Sequence, residues 1–183
     1  MAYNFQNFKN STKETEEWLK KEFAGIRTGR ATPAILDGIK VESYGSMMPI
    51  NQLANISVED ARMMRINPWD ASVTKSIEKA ILVSDLGLSV VVDDKGLRVT
   101  FPDLTSERRA DFVKIAKQKL EDAKITVRGE REKVIKDLEK QEKDGSLSKD
   151  DNFRAKNELQ KMIDESNKNL EEIFTKKEKE IIE

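Results

Sequence analysis

Between residues 4 and 28 the mostly apolar positions Phe8, Thr12, Thr15, Leu19, Phe23 and Ile26 recur in steps of three and four, with Lys and Glu filling the gaps. This spacing predicts an amphipathic helix. Gly29 ends it, and Pro33 disfavours the helical conformation at Thr32 just before it. From about 35 to 104 the pattern changes to short runs, IKVESY, MMPI, ANISV, RMMRIN, LSVVVDD and GLRVTF, punctuated by Gly, Pro, Asn and Asp. Such runs predict strands. Between them, Asp70 is placed to cap a helix carrying Val73, Ile77, Ala80 and Ile81 on one face. The stretch 31–104 therefore predicts a small α+β domain.

Beyond it, Val113, Ala116, Leu120, Ala123, Val127, Val134 and Leu138 mark one seam of a helix over about 106–143. Such a helix spans roughly 57 Å if continuous, at about 1.5 Å per residue. Asp-Gly-Ser-Leu-Ser then breaks the pattern, and Ser148 with Asp151 resembles a variant capping box opening a third long helix to about 182. Its stripe is Ala155, Leu159, Ile163, Leu170, Phe174 and Ile181. None of the three stripes can be buried singly, so an antiparallel three-helix bundle formed by 1–30 and 105–183 is the economical arrangement. The fold class predicted is α+β, with 31–104 as a discontinuous insertion. Two links, near 29–34 and 102–105, join insert to bundle and form a candidate hinge at Gly29, Ala31, Thr32, Pro102, Asp103, Leu104 and Thr105.

Composition narrows the chemistry. The 183 residues are 37% apolar and 37% charged, which suits a folded chain with extensive solvent-facing helix surface. With no cysteine and no histidine, disulfides, thiolate nucleophiles, Cys-ligated metals and the commonest general base are excluded. No phosphate-binding glycine loop, dinucleotide fingerprint or nucleophile elbow occurs, and the carboxylates sit mostly beside lysines as surface ion pairs. A non-enzymatic protein without metal or cofactor is expected. No run of twenty apolar residues occurs, and the first residues have neither a basic nor an apolar leader segment. A soluble, cytoplasmic protein with no membrane role follows as the expectation.

Lys+Arg and Asp+Glu nearly cancel, at 33 against 34, so the charge signal is local. The insert carries seven basic and ten acidic residues, a net −3, whereas 106–131 carries eight basic and five acidic, a net +3. Six of the ten arginines, Arg27, Arg30, Arg108, Arg109, Arg128 and Arg131, flank the insert in helix-like segments. Lys117, Lys124, Arg128 and Arg131 share one helix face. A guanidinium fork binds phosphate oxygens in pairs and stays charged, so arginines grouped on rigid helices suit a structured polyanion. Folded RNA fits best, because its helices present phosphates and 2′-hydroxyls by shape, and no aromatic residues interleave with these arginines to stack on single strands. A coiled-coil adaptor or chaperone-like interaction protein is the alternative that long seams and near-zero net charge support.

IRTGRATPAILDGI at 26–39, VEDARMMRIN at 58–67, IEKAILVSDLGL at 77–88, FPDLTSERRADFVKIAK at 101–117 and VRGER at 127–131 together resemble the bacterial and organellar ribosome recycling factors across essentially the whole chain. The resemblance implies an L-shaped monomer with an antiparallel three-helix bundle and a β/α/β domain on a two-stranded hinge. It implies binding to the post-termination 70S ribosome through large-subunit ribosomal RNA, and subunit dissociation driven with elongation factor G and GTP. By motif position Arg27, Arg30, Arg109, Arg128 and Arg131 are the implied RNA contacts, Arg131 foremost. The family usually reads VRN, an apolar residue and RR in the last motif. Here Gly129, Glu130 and Glu132 depart from it, lowering local positive charge and favouring a bend, and Val90 and Val91 replace a frequent Asn-Pro turn.

Overall fold

The computed structural model describes residues 3–43 and 45–183. Helix α1 runs over Gln6–Ala24, α2 over Thr74–Val83, α3 over Ser106–Lys143 and α4 over Lys149–Ile182; strands are β1 Lys40–Ser43, β2 Ser46–Pro49, β3 Ala54–Asp60, β4 Met63–Pro68, β5 Ser89–Asp93 and β6 Gly96–Thr100. The fold class is α+β, with long helices and antiparallel sheets. By packing, the chain forms two compact units: Met1–Glu22 with Lys114–Glu178, and Phe23–Val113 with Lys179–Glu183. These boundaries fall inside the long helices and not at the links near 30 and 104.

The first unit is helical. Leu19, Ala116, Ala123, Leu138 and Leu170 are fully buried, and Phe8, Leu120, Val127 and Leu159 are nearly so, so each predicted stripe faces the other two. Polar pairs fix the directions. Glu22 meets Lys119 at 2.8 Å near the start of α3, while the Tyr3 hydroxyl donates to Asp137 at 2.8 Å near its end. Hence α1 and α3 are antiparallel. Lys124 pairs with Glu171 and Lys156 with Glu139, so α3 and α4 are antiparallel too. Asn169 donating to Glu16 at 3.0 Å joins α4 to α1. Between α3 and α4 the Ser148 hydroxyl accepts from the Asp151 N–H at 3.1 Å, the predicted cap.

In the second unit the strand order is β3-β4-β6-β5, all neighbours antiparallel, with β1-β2 as a separate hairpin. Alternation puts Met64, Ile66, Leu97 and Val99 wholly inside, against Ile77 and Ile81 of α2. Asp70 accepts from the Ser72 N–H at 2.8 Å and starts a 3₁₀ turn, Ala71–Val73, that leads into α2. On the opposite sheet face Arg65 and Arg98 are cross-strand partners, an unfavourable pairing of like charges. Glu59 and Asp93 offset it: Arg65 binds both, with 3.0 Å to Asp93, and Arg98 reaches Glu59 at 3.1 Å. Hydrogen bonds from Arg65 hold both carboxyls below their usual range. The β5–β6 turn needs a residue with no side chain at 96, because Gly96 has φ +127° and a Cβ there would lie 2.4 Å from the Ile66 carbonyl oxygen.

The first helix is shorter than its periodicity predicts. It stops at Ala24, not at Gly29, and the Ile26 N–H turns back to the Phe23 carbonyl at 3.1 Å. The reason is burial. Ile26, Arg27 and Thr28 are 7%, 3% and 7% exposed, and three consecutive residues on a helix cannot all face one core. Arg27 and Arg30 therefore sit on extended and bent chain, not on a helix. The long helix α3, in contrast, is continuous through Gly129 and Glu130.

Tyr3 supplies a pH test of the first unit. Burial, and then its hydrogen bond to Asp137, push its phenol up to about 12, against about 10 in an unfolded chain. A raised phenol pKa contributes stability that is complete below about pH 10 and is lost as pH climbs toward 12. Tyr3→Phe should lower stability at pH 7 by about 1 kcal/mol and flatten the loss between pH 10 and 12. Urea melts across that range, with tyrosinate absorbance as the titration signal, check both.

Candidate nucleic-acid interface

The structure sorts the arginines by what already holds them. Arg62 pairs with Asp103 at 2.7 Å and Arg108 with Asp85 at 2.9 Å; Arg65 and Arg98 are taken up by the sheet-face network. The Asp85 carboxyl is held low by the hydrogen bond from Arg108. Of the five arginines that sequence points to, Arg30, Arg128 and Arg131 are exposed and have no side-chain partner among the described residues. Arg109 is half-buried in the first turn of α3, its Nε 3.4 Å from the Leu104 carbonyl. It lines a groove of about 540 Å³ with Leu104, Ala110, Val113 and Ile182.

Arg27, also expected as an RNA contact, is held differently from the other four. Its guanidinium Nη1 donates to the carbonyls of Leu86 and, at 2.9 Å, Gly87, while Nη2 donates to the carbonyl of Pro102. The Phe101 ring lies 5.9 Å beneath it. Among the described residues no carboxylate pairs with it. Burial first, and Arg108 second, lower its pKa, yet a guanidinium keeps its proton at physiological pH. Gly87 makes the approach possible: at φ +62° it exposes its carbonyl, and a Cβ there would stand 3.2 Å from Nη1. Arg27 thus ties the turn after α2 to the segment after β6. Its charge is directed inward.

Some of the expected hinge residues are fastened within the same unit. The Ala31 N–H donates to the Ala61 carbonyl at 2.7 Å, and the Phe101 N–H to the neighbouring Arg62 carbonyl at 2.9 Å. Thr105 accepts from the Arg108 N–H at 3.3 Å and caps α3. Ala31 and Leu104 are both 9% exposed.

Arg128 and Arg131 belong to the first unit and share a groove of about 390 Å³ between α3 and α4. Helix α3 contributes Lys124, Val127, Arg128 and Arg131, at offsets of zero, three, four and seven; α4 contributes Gln160, Ile163, Asn167 and Glu171, at zero, three, seven and eleven. Both sets are single helix faces. Val127 and Ile163, 1% and 7% exposed, form an apolar floor. Lys124 is bound to Glu171 and, at 3.6 Å, to Glu121, and its pKa is raised by the first of these. Lys117, expected on the same stripe, does not line the groove. Glu130, one of the departures from the family pattern, turns to Lys133 at 2.7 Å. The amides of Gln160 and Asn167 are absent from the residues that sequence points to; their spacing along the Ile163 face is the one signal that could have found them.

Comparison with known proteins settles the family. The family model described as ribosome recycling factor matches residues 19–182. The chain belongs to the ribosome recycling factor family. Ribosome-recycling factor from Oleidesulfovibrio alaskensis is 45% identical over 177 residues, covering 93% of this chain and 96% of the relative. That of Thermotoga maritima is 43% identical over 175 residues, covering 96% and 95%. A solution structure of a ribosome recycling factor superposes with a TM-score of 0.69 at 37% identity, covering 97% of this chain and 95% of the other. The T. thermophilus ribosome recycling factor, bound together with E. coli elongation factor G to the E. coli post-termination complex, gives 0.65 at 37% identity, covering 98% and 97%. Among the described residues no cluster of His, Cys, Asp or Glu could hold a metal ion, and no helix is long and apolar enough to cross a membrane.

Removing the Arg27 guanidinium would leave three carbonyls without their donor. Arg27→Ala should destabilise the second unit by about 2–4 kcal/mol, and Arg27→Lys should recover only part of that because an ammonium lacks the planar fork. Hydrogen exchange resolved by segment should show the loss in 61–102 with 120–170 unchanged.

Proposed function

We propose that this chain acts on the post-termination ribosome in the cytoplasm as a monomer, docking through large-subunit ribosomal RNA and, together with elongation factor G and GTP, promoting separation of the subunits. The observation that carries the reading is likeness along nearly the whole chain to the T. thermophilus factor bound, with elongation factor G, to a post-termination complex. Unpaired guanidinia on a stiff helix support the RNA part. Arg128 and Arg131 on α3, with Arg30 and Arg109, are assigned as contacts, each supplying charge-assisted hydrogen bonds to phosphate. No covalent step is assigned to the chain, and the energy comes from the GTP-using partner.

Movement belongs to the same proposal. Bending at Gly29, Ala31 and Thr32 and at Pro102, Asp103, Leu104 and Thr105 lets the β-containing insert be driven while the long-helix bundle stays docked. Because Arg27 grips the Pro102 carbonyl from the first link, the two links bend together.

Two experiments test this reading. Arg131→Ala should weaken ribosome binding roughly tenfold or more and reduce the salt dependence of the binding constant by about one phosphate contact. Unchanged binding and splitting would remove the RNA role, and binding to partner proteins without ribosomes would favour an adaptor. For movement, the absence of native cysteine allows one introduced pair to lock the insert to the helical bundle; the locked protein should bind normally and fail to split ribosomes. Normal splitting by it would show that bending is not needed.

A further inference from the structure

The groove between α3 and α4 carries more than a phosphate contact needs. Two unpaired guanidinia suffice to hold a phosphodiester on a convex helix face. Here they stand at the rim of a cavity of about 390 Å³ with an apolar floor and two side-chain amides on the far wall. Phosphate can accept from an amide N–H but has no use for the apolar floor. An unstacked nucleobase matches both: its flat faces are apolar, and its edge alternates donors and acceptors that an Asn or Gln amide can meet with one of each. Asn167 has no other hydrogen-bond partner among the described residues, whereas Gln160 donates to Asp164 at 2.8 Å. Lys124, the remaining cation, is already neutralised by Glu171 and Glu121.

We propose that this groove receives a single unstacked nucleotide of ribosomal RNA, its base over Val127 and Ile163 with its edge on the Asn167 amide, and its flanking phosphates on Arg128 and Arg131. This rests on the reading of those arginines as RNA contacts and adds the nature of the RNA element: an extruded base, not a continuous duplex. Extrusion is least unfavourable at a bulge, loop or mismatch. Gln160, held by Asp164, borders the site and is secondary to Asn167.

Filling the groove tests the proposal. Asn167→Trp should occupy the space, and Asn167→Ala should remove the edge contact; both leave Arg128 and Arg131 in place. Binding is measured to 70S ribosomes and to isolated large subunits over a salt series, with base-specific chemical probing of the bound RNA. Each variant should bind roughly tenfold more weakly, with the salt slope of the unsubstituted protein. One base protected by the unsubstituted protein should stay reactive with Asn167→Trp; whether it is protected on isolated large subunits identifies the subunit that supplies it. Thermal melts establish that each variant folds, and Gln160→Trp serves as the filling variant if Asn167→Trp does not. Unchanged affinity and footprint for a folded groove-filled variant would overturn the proposal while Arg131→Ala, still weakening binding, would leave the RNA reading intact. Weaker binding with no base protected at all would overturn it in favour of a protein side chain as occupant.

Discussion

A guanidinium cannot shed its charge, and that constraint organises this molecule. Every arginine must be matched by an acceptor within the chain or left in water for something else to match. Carboxylates take Arg62, Arg65, Arg98 and Arg108, and backbone carbonyls take Arg27. The internal acceptors lie almost wholly in the second unit, which has an acidic excess over 31–104. Among the described residues the α3 arginines of the first unit have none. The bulk charge of −1 therefore hides a division between cations used for folding and cations held in reserve, which net charge alone cannot express.

The reserved cations need a stiff mount. Most of a helix's stability in a protein comes from packing its amphipathic face, and the 38-residue α3 buries its seam against both other long helices. The same packing creates the groove. Where Val127 and Ile163 meet, the surrounding positions are long polar side chains that stand at the rim and do not fill the space. Packing and recognition are thus two sides of one helix pair.

Periodicity makes most of the fold legible. The six strand runs, α2 with the Asp70-capped turn before it, and the limits of α3 and α4 follow from spacing and turn residues, since those signals are local. Contacts between distant residues are not legible in the same way. Arg27 reads as a surface cation because its carbonyl partners lie 59, 60 and 75 residues away, and the same closure pulls the chain out of α1 well before Gly29. Asn167 escapes a reading of the sequence because an amide on a charged helix is ordinary until the facing helix is known. For Arg128 and Arg131 the heptad-like spacing places them on one face correctly, but only the packed pair shows that this face borders a cavity.

Gly129 is the point where sequence rules and structure pull apart most instructively. Helix propensity assigns it a penalty of about 0.5–1 kcal/mol relative to alanine, and Glu130 and Glu132 add acidity where the family usually has neither. The penalty is small beside the burial of Val127, Val134 and Leu138 on the same helix, each large apolar side chain contributing about 1.5–3 kcal/mol. The helix therefore stays intact. Glu130 is drawn off by Lys133, so its charge is not directed at Arg131. A Cβ at 129 would meet nothing within 4 Å, which means that packing within the chain does not require glycine there.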